Sequence, residues 1–395
     1  MRRTDGEVDE RIDMADVGLI TADEAAKRLG VKRATLYTYV SRGWLRRWPG
    51  EDGESRYPVA DVEDLRLRSA AHRGRGPAAG EALRWGPPVL SSAITSIDVD
   101  GPNYRGEPAL TLAERGVSWE QVAELLWTGR LLKAPPRWPE PWEVPPLPDG
   151  PPLARLPALV AHLSLVHPLE PRLAEAEMVA ARRLARTLAL ALGGPGESVA
   201  AALAGGRGEL VGRIDQVLVL CADHELNASA FAGRVAAAAG ADLFGCLLAA
   251  MATFSGSRHG GVSSDVFPVF AEARARSAAV VVRERQAKGL PFPGTGHPLY
   301  PEGDPRGAML LALATEAPGD GAWGALELAA ELEASGSPAP NLDFGLAAFV
   351  VAWGLPPSLA PVMFGLGRFA GWIAHALEQR QSPGLLRPRA QYTGR

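Results

Sequence analysis

The stretch Ala222–Gly261, ADHELNASAFAGRVAAAAGADLFGCLLAAMATFSGSRHGG, constrains this chain more than any other. It opens with Asp223-His224-Glu225 and closes with Arg258-His259-Gly260-Gly261. The Ala-rich run between them reads as one long buried helix. Two of the chain's seven histidines therefore stand at the two ends of one apolar element. A third, His297, follows in GTGHPLY, and a carboxylate, Asp343, in PNLDF. Imidazoles, a carboxylate and arginines beside Gly or Pro breaks are the makings of a site and not of a core.

The frame around that stretch is large. A chain of 395 residues predicts two or three domains. Its 47% hydrophobic and 22% charged content is that of a soluble globular protein. A net charge of −4 argues against a protein that coats nucleic acid with its whole surface. Two cysteines, Cys221 and Cys246, are too few for a metal cluster or a disulfide framework and fit a reducing cytoplasm. The start, MRRTDGEVDERIDMAD, lacks the shape of a signal peptide, and 1–16 read as a disordered tail. The uncharged run Leu346–Leu366 is cut by Gly354-Leu-Pro-Pro357, which predicts two buried helices and no membrane span.

Residues 17–71 read as a small module of their own. Thr21 is a natural N-cap, with Glu24 three residues on to complete a capping box. Gly30 ends the first helix, and Lys32-Arg33-Ala34-Thr35-Leu36-Tyr37 opens a second. Two short helices about a Gly turn are a helix-turn-helix signature. With Arg42-Gly43-Trp44-Leu45 and Arg56-Tyr57-Pro58, the segment resembles the winged helix-turn-helix modules of the MerR and excisionase type. From Glu24 to Arg75 there are twelve Lys/Arg against seven Asp/Glu, a net of +5. That makes Lys32, Arg33 and Thr35 candidate DNA readers, with Arg56 for the backbone or minor groove. A module kept only for protein contact explains the same residues.

HRGRGPAAG marks a linker over 72–86, and 87–395 form the main domain. There a strand-like run and turn lead to Tyr104-Arg105-Gly106, and an amphipathic helix starts at Ser118 as N-cap. Leu132–Pro152 is crowded with Pro and Trp and reads as an irregular surface loop. His162 and His167 read as packing or cap histidines, and His375 in GWIAHALEQ shares that default with a better claim to a supporting role.

Seven segments then fall into one order: SAITSID-x-DG-x-x-YRG, ADHELNAS, SGSRHGG, GHPLY-x-x-x-DPR, PNLDF, GRFAGWIAHALEQ and RPRAQYTG. In order and spacing they resemble the citrate synthase family, from about Val89 to Gly394. The resemblance implies a mainly α fold with a large helical part and a smaller one, roughly 263–340, that closes over the cleft. It implies a transferase that condenses acetyl-CoA with oxaloacetate to give citrate and CoA, or a 2-methylcitrate synthase using propionyl-CoA. Acetyl-CoA is then a co-substrate, with no permanent cofactor and no metal.

The roles follow from the same resemblance. Asp343 matches the base, which burial suits by raising its pKa. His259 matches the donor to the enol oxygen, and His297 the donor to the ketone of oxaloacetate. His224 matches another histidine on that substrate. Arg306 and Arg368 match the carboxylate arginines, and Arg387 one that reaches the neighbouring subunit's site, which implies a homodimer. The chain departs from the pattern after His297. Pro298 and Pro301 stand where many members carry basic residues, and Glu302 follows. Arg283, Arg285 and Lys288 are the upstream substitutes for holding CoA phosphates. The competing reading is a DNA-binding regulator whose synthase-like domain senses citrate or oxaloacetate.

Overall fold

The computed structural model describes residues 19–41, 44–50, 53–59, 61–62, 65, 90–147, 149–169, 174–382 and 384–388. The expected tail over 1–16, the linker over 72–86, Arg42-Gly43 and the 389–394 end of RPRAQYTG lie outside them. The chain divides into two compact units, Met1–Ser91 and Ser92–Arg395.

The first unit runs β1 (Leu19–Thr21), α1 (Ala22–Leu29), α2 (Arg33–Ser41), β2 (Trp48–Pro49) and β3 (Ser55–Pro58). β3 is the central strand and pairs antiparallel with both others. Thr21 Oγ1 accepts the Glu24 N–H at 3.2 Å, and Gly30 at φ 62° ends α1. Only half of the expected capping box forms, because the Glu24 carboxylate takes Arg28 Nε at 3.1 Å instead. Ala25, Leu29, Leu36, Leu45, Tyr57, Val62 and Leu65 make the core of this unit.

The second unit starts with a hairpin, β4 (Thr95–Asp98) and β5 (Gly101–Tyr104), and a short β6 (Glu107–Pro108). Helices follow: α3 (Ala109–Glu114), α4 (Trp119–Thr128), α5 (Pro152–Val166), α6 (Ala174–Gly193), α7 (Val199–Leu203) and α8 (Val211–Cys221). Then come α9 (Ala228–Ala238), α10 (Leu243–Phe254), α11 (Val262–Arg276), α12 (Ala278–Ala287) and α13 (Pro305–Thr315). The last are α14 (Trp323–Ala334), α15 (Leu342–Ala352) and α16 (Leu359–Gln381). Ser118 caps α4 with the reciprocal Gln121 bonds of a full capping box. Gly354 at φ 62° separates α15 from α16, as the Pro-Pro break predicts. No helix among the described residues is long and apolar enough to cross a membrane.

Two expectations are corrected. The Ala-rich run is two helices, α9 and α10, packed on each other. Gly240 at φ 88° stops the first, and Asp242 Oδ1 caps the second by accepting Gly245 N–H at 2.8 Å. The Pro/Trp segment before α5 carries no helix or strand among its described residues, yet it is pinned to the core. Trp138 stacks on Trp127 at 5.5 Å and donates its indole N–H to Glu124 Oε1 at 2.8 Å. Arg182 grips both oxygens of Glu124, at 2.7 and 2.9 Å. Trp142 stacks on His167, which caps α5, whereas His162 is exposed. Glu124→Ala should therefore cost about 3 kcal/mol, since it strands Arg182 and frees Trp138. Denaturant unfolding followed by tryptophan fluorescence measures this, and a loss near zero would mean the segment is held by other contacts.

Two apolar clusters fill the second unit. The larger surrounds α16, which buries every residue from Ala360 to Ala376. The smaller joins α11, α12 and α14 through Val266, Phe270, Val281, Val282, Leu328 and Leu332. Helix α15 serves both: Leu342, Leu346, Phe349 and Val350 enter the first, and Phe344, Ala347, Ala348 and Ala352 the second.

Candidate active site

Most of the site assembles at helix ends, with Arg368 on the middle of α16. Asp343 is in the first turn of α15, and Asn341 caps that helix by accepting the Asp343 N–H at 2.9 Å. Two loops are sewn together before it. Asn341 N donates to Gly294 O at 2.8 Å, Asn341 Nδ2 to Gly296 O at 2.9 Å, and Gly296 N to Ala339 O at 2.8 Å. His297 therefore follows directly from the strap that fixes Asp343. Gly294 is required at this seam: its φ is 76°, and a Cβ there would sit 2.9 Å from Phe344 N.

His297 and His224 meet edge to face, with ring centroids 5.1 Å apart. His224 Nε2 lies 3.0 Å from the Tyr300 hydroxyl. His297 Nδ1 accepts the Leu299 N–H at 3.2 Å, which puts the proton of the neutral ring on Nε2. Burial and then the Arg306 charge push His297 down to about 4. Burial, Arg306, Arg368 and His297 push His224 well below its usual value. His259 is also down to about 4, by burial and then Arg368. All three imidazoles are neutral at neutral pH.

Ser229 Oγ is 2.8 Å from His259 Nε2. It gives its one proton to Asn227 Oδ1 at 2.7 Å and accepts from Trp372 Nε1 at 2.9 Å. In this arrangement His259 donates through Nε2 and holds a lone pair on Nδ1.

The two arginines are buried, Arg306 2% and Arg368 1% exposed. Arg306 is clamped by Asp304: Nε to Oδ1 at 3.0 Å and Nη2 to Oδ2 at 2.8 Å. Burial works against the Arg306 charge, but Asp304 outweighs it and holds the pKa above the usual value. Arg368 donates Nε to Cys221 O at 2.7 Å and stands over the Phe364 ring. Burial lowers its pKa. Their charges reach Asp343 as well. Burial, with Asp304 adding to it, pushes Asp343 up to about 7 against the pull of Arg306 and Arg368. Asp343 Oδ1 is buried and finds no hydrogen-bond partner among the described residues.

The structure thus brings His224, His259, His297, Arg306, Asp343 and Arg368 into one electrostatic neighbourhood. Arg387 is exposed in the segment after α16. Four partners escaped the sequence reading: Ser229, Tyr300, Asp304 and Asp223. Each lies within a motif already singled out, but nothing in the string says which side chain it touches.

The substitutes for holding CoA phosphates are partly engaged elsewhere. Arg285 donates to Pro291 O at 2.7 Å and stands over Phe292, and Lys288 pairs with Glu284 at 3.9 Å. In the first unit Lys32 and Arg33 are exposed, Thr35 and Arg56 half-buried. Arg33 is bound to Asp23 at 3.4 Å and Glu54 at 2.8 Å, so its charge is locally compensated.

Comparison with known proteins bears on the second unit. The citrate synthase from Haloferax volcanii is 37% identical over 187 residues, 46% of this chain and 49% of that protein. The 2-methylcitrate synthase from Shewanella oneidensis is 32% identical over 190 residues, 46% of this chain and 50% of that protein. The chain spans about half the length of the curated relatives it matches. Among solved structures, Thermotoga maritima citrate synthase superposes with a TM-score of 0.66 at 23% identity, over 78% of this chain and 94% of that one. The Thermoplasma acidophilum enzyme, in ternary complex with carboxymethyl coenzyme A and oxaloacetate, gives 0.65 at 22% identity over the same shares. These likenesses establish a mainly helical, citrate-synthase-like fold. The family profile "Citrate synthase, C-terminal domain" matches residues 153–389, more than half of the chain and the whole of the constellation just described, so the chain belongs to the citrate synthase family.

Proposed function

We propose that this protein condenses acetyl-CoA with oxaloacetate, releasing citrate and CoA. The observation that carries the reading is Asp343: a carboxylate pushed up to about 7, one oxygen unpartnered, beside neutral imidazoles and two buried arginines. A base for a weakly acidic C–H needs that combination of raised basicity and an open lone pair. Asp343 takes a methyl proton, and the thioester becomes an enol or enolate. His259 stabilises its oxygen. For Nδ1 to donate there, Ser229 turns its hydroxyl from Asn227 to His259 Nε2. The enol carbon attacks the ketone of oxaloacetate, polarised by the Nε2 proton of His297, which then protonates the alkoxide. Water cleaves the citryl thioester. Arg306 and Arg368 hold substrate carboxylates, with His224 within the reach of both charges.

The smaller helical part, roughly 263–340, closes over the site and excludes water. A second copy of the chain completes it through Arg387. The exposed apolar side chains Leu165 (82%), Val166 (52%) and Val179 (41%) on α5 and α6 fit such a dimer. Propionyl-CoA is the alternative acyl donor, in line with the 2-methylcitrate synthase relative.

The acidic loop around Pro301 and Glu302, with Arg285 and Lys288 engaged elsewhere, favours one other reading: a dicarboxylate sensor that does not take CoA. In that reading the first unit is a winged helix-turn-helix that contacts DNA through Lys32, Thr35 and Arg56, with Arg33 released from Asp23 and Glu54. The deciding test is CoA release from acetyl-CoA and from propionyl-CoA, each with and without oxaloacetate, read with a thiol reagent. Oxaloacetate-dependent release is expected, and the faster donor names the substrate. No release from folded, dimeric protein would sink the enzyme reading, and salt-sensitive DNA binding would then support the sensor.

A further inference from the structure

Asp223, the residue before His224, is fully buried in the turn after α8. Its Oδ2 lies 3.3 Å from His375 Nε2 on α16. The other ring nitrogen, Nδ1, accepts the Nε proton of Arg234 at 2.9 Å. Arg234, on α9, is 1% exposed and also reaches Gln379 Oε1 at 3.1 Å, Ser92 Oγ at 3.3 Å and the Glu378 carboxylate. Guanidinium, imidazole and carboxylate thus form a row across the interior. Its protonation follows from the donors. Nδ1 faces an N–H and carries no proton, so the imidazole is neutral and its one N–H points at Asp223.

The turn itself is held tightly. Gly371 N on α16 donates to Ala222 O at 3.0 Å. A Cβ at Gly371 would lie 2.2 Å from Asp223 Oδ1, so the carboxylate rests against the helix backbone. Glu225 adopts φ 53°, a left-handed conformation that costs an ordinary residue about 1 kcal/mol. Such a turn persists only where its surroundings fix it. The titratable groups around Asp223 are His375 and Arg368 on α16, Arg234 on α9, Tyr104 on β5 and Glu225 two residues on. Burial disfavours the Asp223 charge, while the hydrogen bond from His375 and the charge of Arg368 favour it.

We propose that Asp223 is a positioning residue of the dicarboxylate half-site: through His375 and Arg234 it fixes the turn that carries His224 and balances the charge of Arg368. This rests on the function proposed above. His375 is not among the residues placed on substrate, so changing it tests the row without removing a catalytic group. A buried carboxylate with few donors depends on each of them. Without His375 Asp223 takes up a proton closer to neutral pH, Arg368 loses its counter-charge, and the His224 turn loses its tie.

The experiment compares His375→Leu, His375→Gln and Arg234→Lys with the parent protein. Oxaloacetate affinity is read by titration calorimetry, and KM and kcat across the neutral pH range. His375→Leu should raise the oxaloacetate KM about tenfold, the size of one lost hydrogen bond to a charged group, with a smaller change in kcat. The effect should grow as pH falls. His375→Gln keeps an N–H directed at Asp223 and should recover most of the affinity. A residue that served folding alone would lower the unfolding temperature and leave KM and the pH profile in place. Folded His375→Leu with the parent KM and pH profile overturns the proposal. Should that variant not fold, Arg234→Lys keeps the charge but loses the Nε bond to His375, and an unchanged KM there overturns it equally. A parent protein that binds no oxaloacetate would sink the proposed function, and this proposal with it.

Discussion

Asp343→Asn should lower turnover by roughly 10²–10⁴-fold, the usual worth of a general base, and at the same time stabilise the folded protein above neutral pH. The two effects have one cause. Burial pushes the carboxyl up to about 7, whereas an unfolded chain releases that proton near pH 4. The folded state therefore holds a proton that the unfolded state has lost. Stability from this group is fully present below about pH 4 and is lost as pH rises through 7. Asparagine removes the penalty, and a gain on the order of 2 kcal/mol at alkaline pH is expected after allowing for partial solvent access. The parent kcat/KM should rise with pH through about 7 as the base deprotonates. Urea unfolding at two pH values, alongside the CoA-release assay, checks both halves. A variant as active as the parent refutes the base assignment, and one that is less stable refutes the electrostatic account.

Asp304→Ala should be the most damaging single change to the fold near the site, costing about 3–5 kcal/mol. Asp304 accepts four hydrogen bonds. Oδ1 takes Arg306 N and Nε, both at 3.0 Å; Oδ2 takes Arg306 Nη2 at 2.8 Å and Leu342 N at 3.2 Å. One carboxylate thus caps α13, neutralises a buried guanidinium and holds the first turn of the helix that bears Asp343. Removing it leaves Arg306 charged, buried and unpaired. The double change Asp304→Leu with Arg306→Met should recover much of the stability but none of the oxaloacetate binding, because the pair is replaced by apolar volume. Asp304 is held below the usual carboxylate range, chiefly by Arg306 working against burial. Its contribution is present above about pH 4 and lost as pH falls below. The negative charge of Asp304 also raises Asp343, so in any active Asp304 variant the acid limb of the pH profile should move to lower pH. Chemical denaturation of the single and double variants decides it: a single-variant loss under about 1 kcal/mol would mean Arg306 finds another partner.

Much of the second unit was legible because local chemistry and position agree there. Ser118 with Gln121 announces the start of α4, and Gly354-Leu-Pro-Pro357 announces the break before α16. Of the six residues drawn together, His259, His297, Arg306 and Asp343 sit at or between helix ends near Gly or Pro, where backbone breaks leave room for ligands; His224 stands in the turn after α8, and Arg368 lies mid-helix in α16 beside Gly367. The same kind of signal was passed over in GADLFG, where Gly240 and Asp242 are a helix stop and start that the surrounding alanines concealed. What the string does not carry is contact at long separation. Trp138 looks like part of a loop until Glu124 and Arg182 are seen around it. Arg33 looks like a free basic residue until Glu54, twenty-one positions away, is found beside it. Arg306 looks ready for a substrate carboxylate until Asp304 is found holding half of its guanidinium.

Helix α15 lies between two apolar clusters and gives each of them its own stripe of side chains. A helix buried on both sides cannot melt with one cluster and stay folded with the other. The two clusters are thereby welded into one cooperative folding unit, and an injury to either is felt at the turn that carries Asp343. The enzyme chemistry proposed for this chain thus sits on the element the two clusters share, about which the smaller helical part would close.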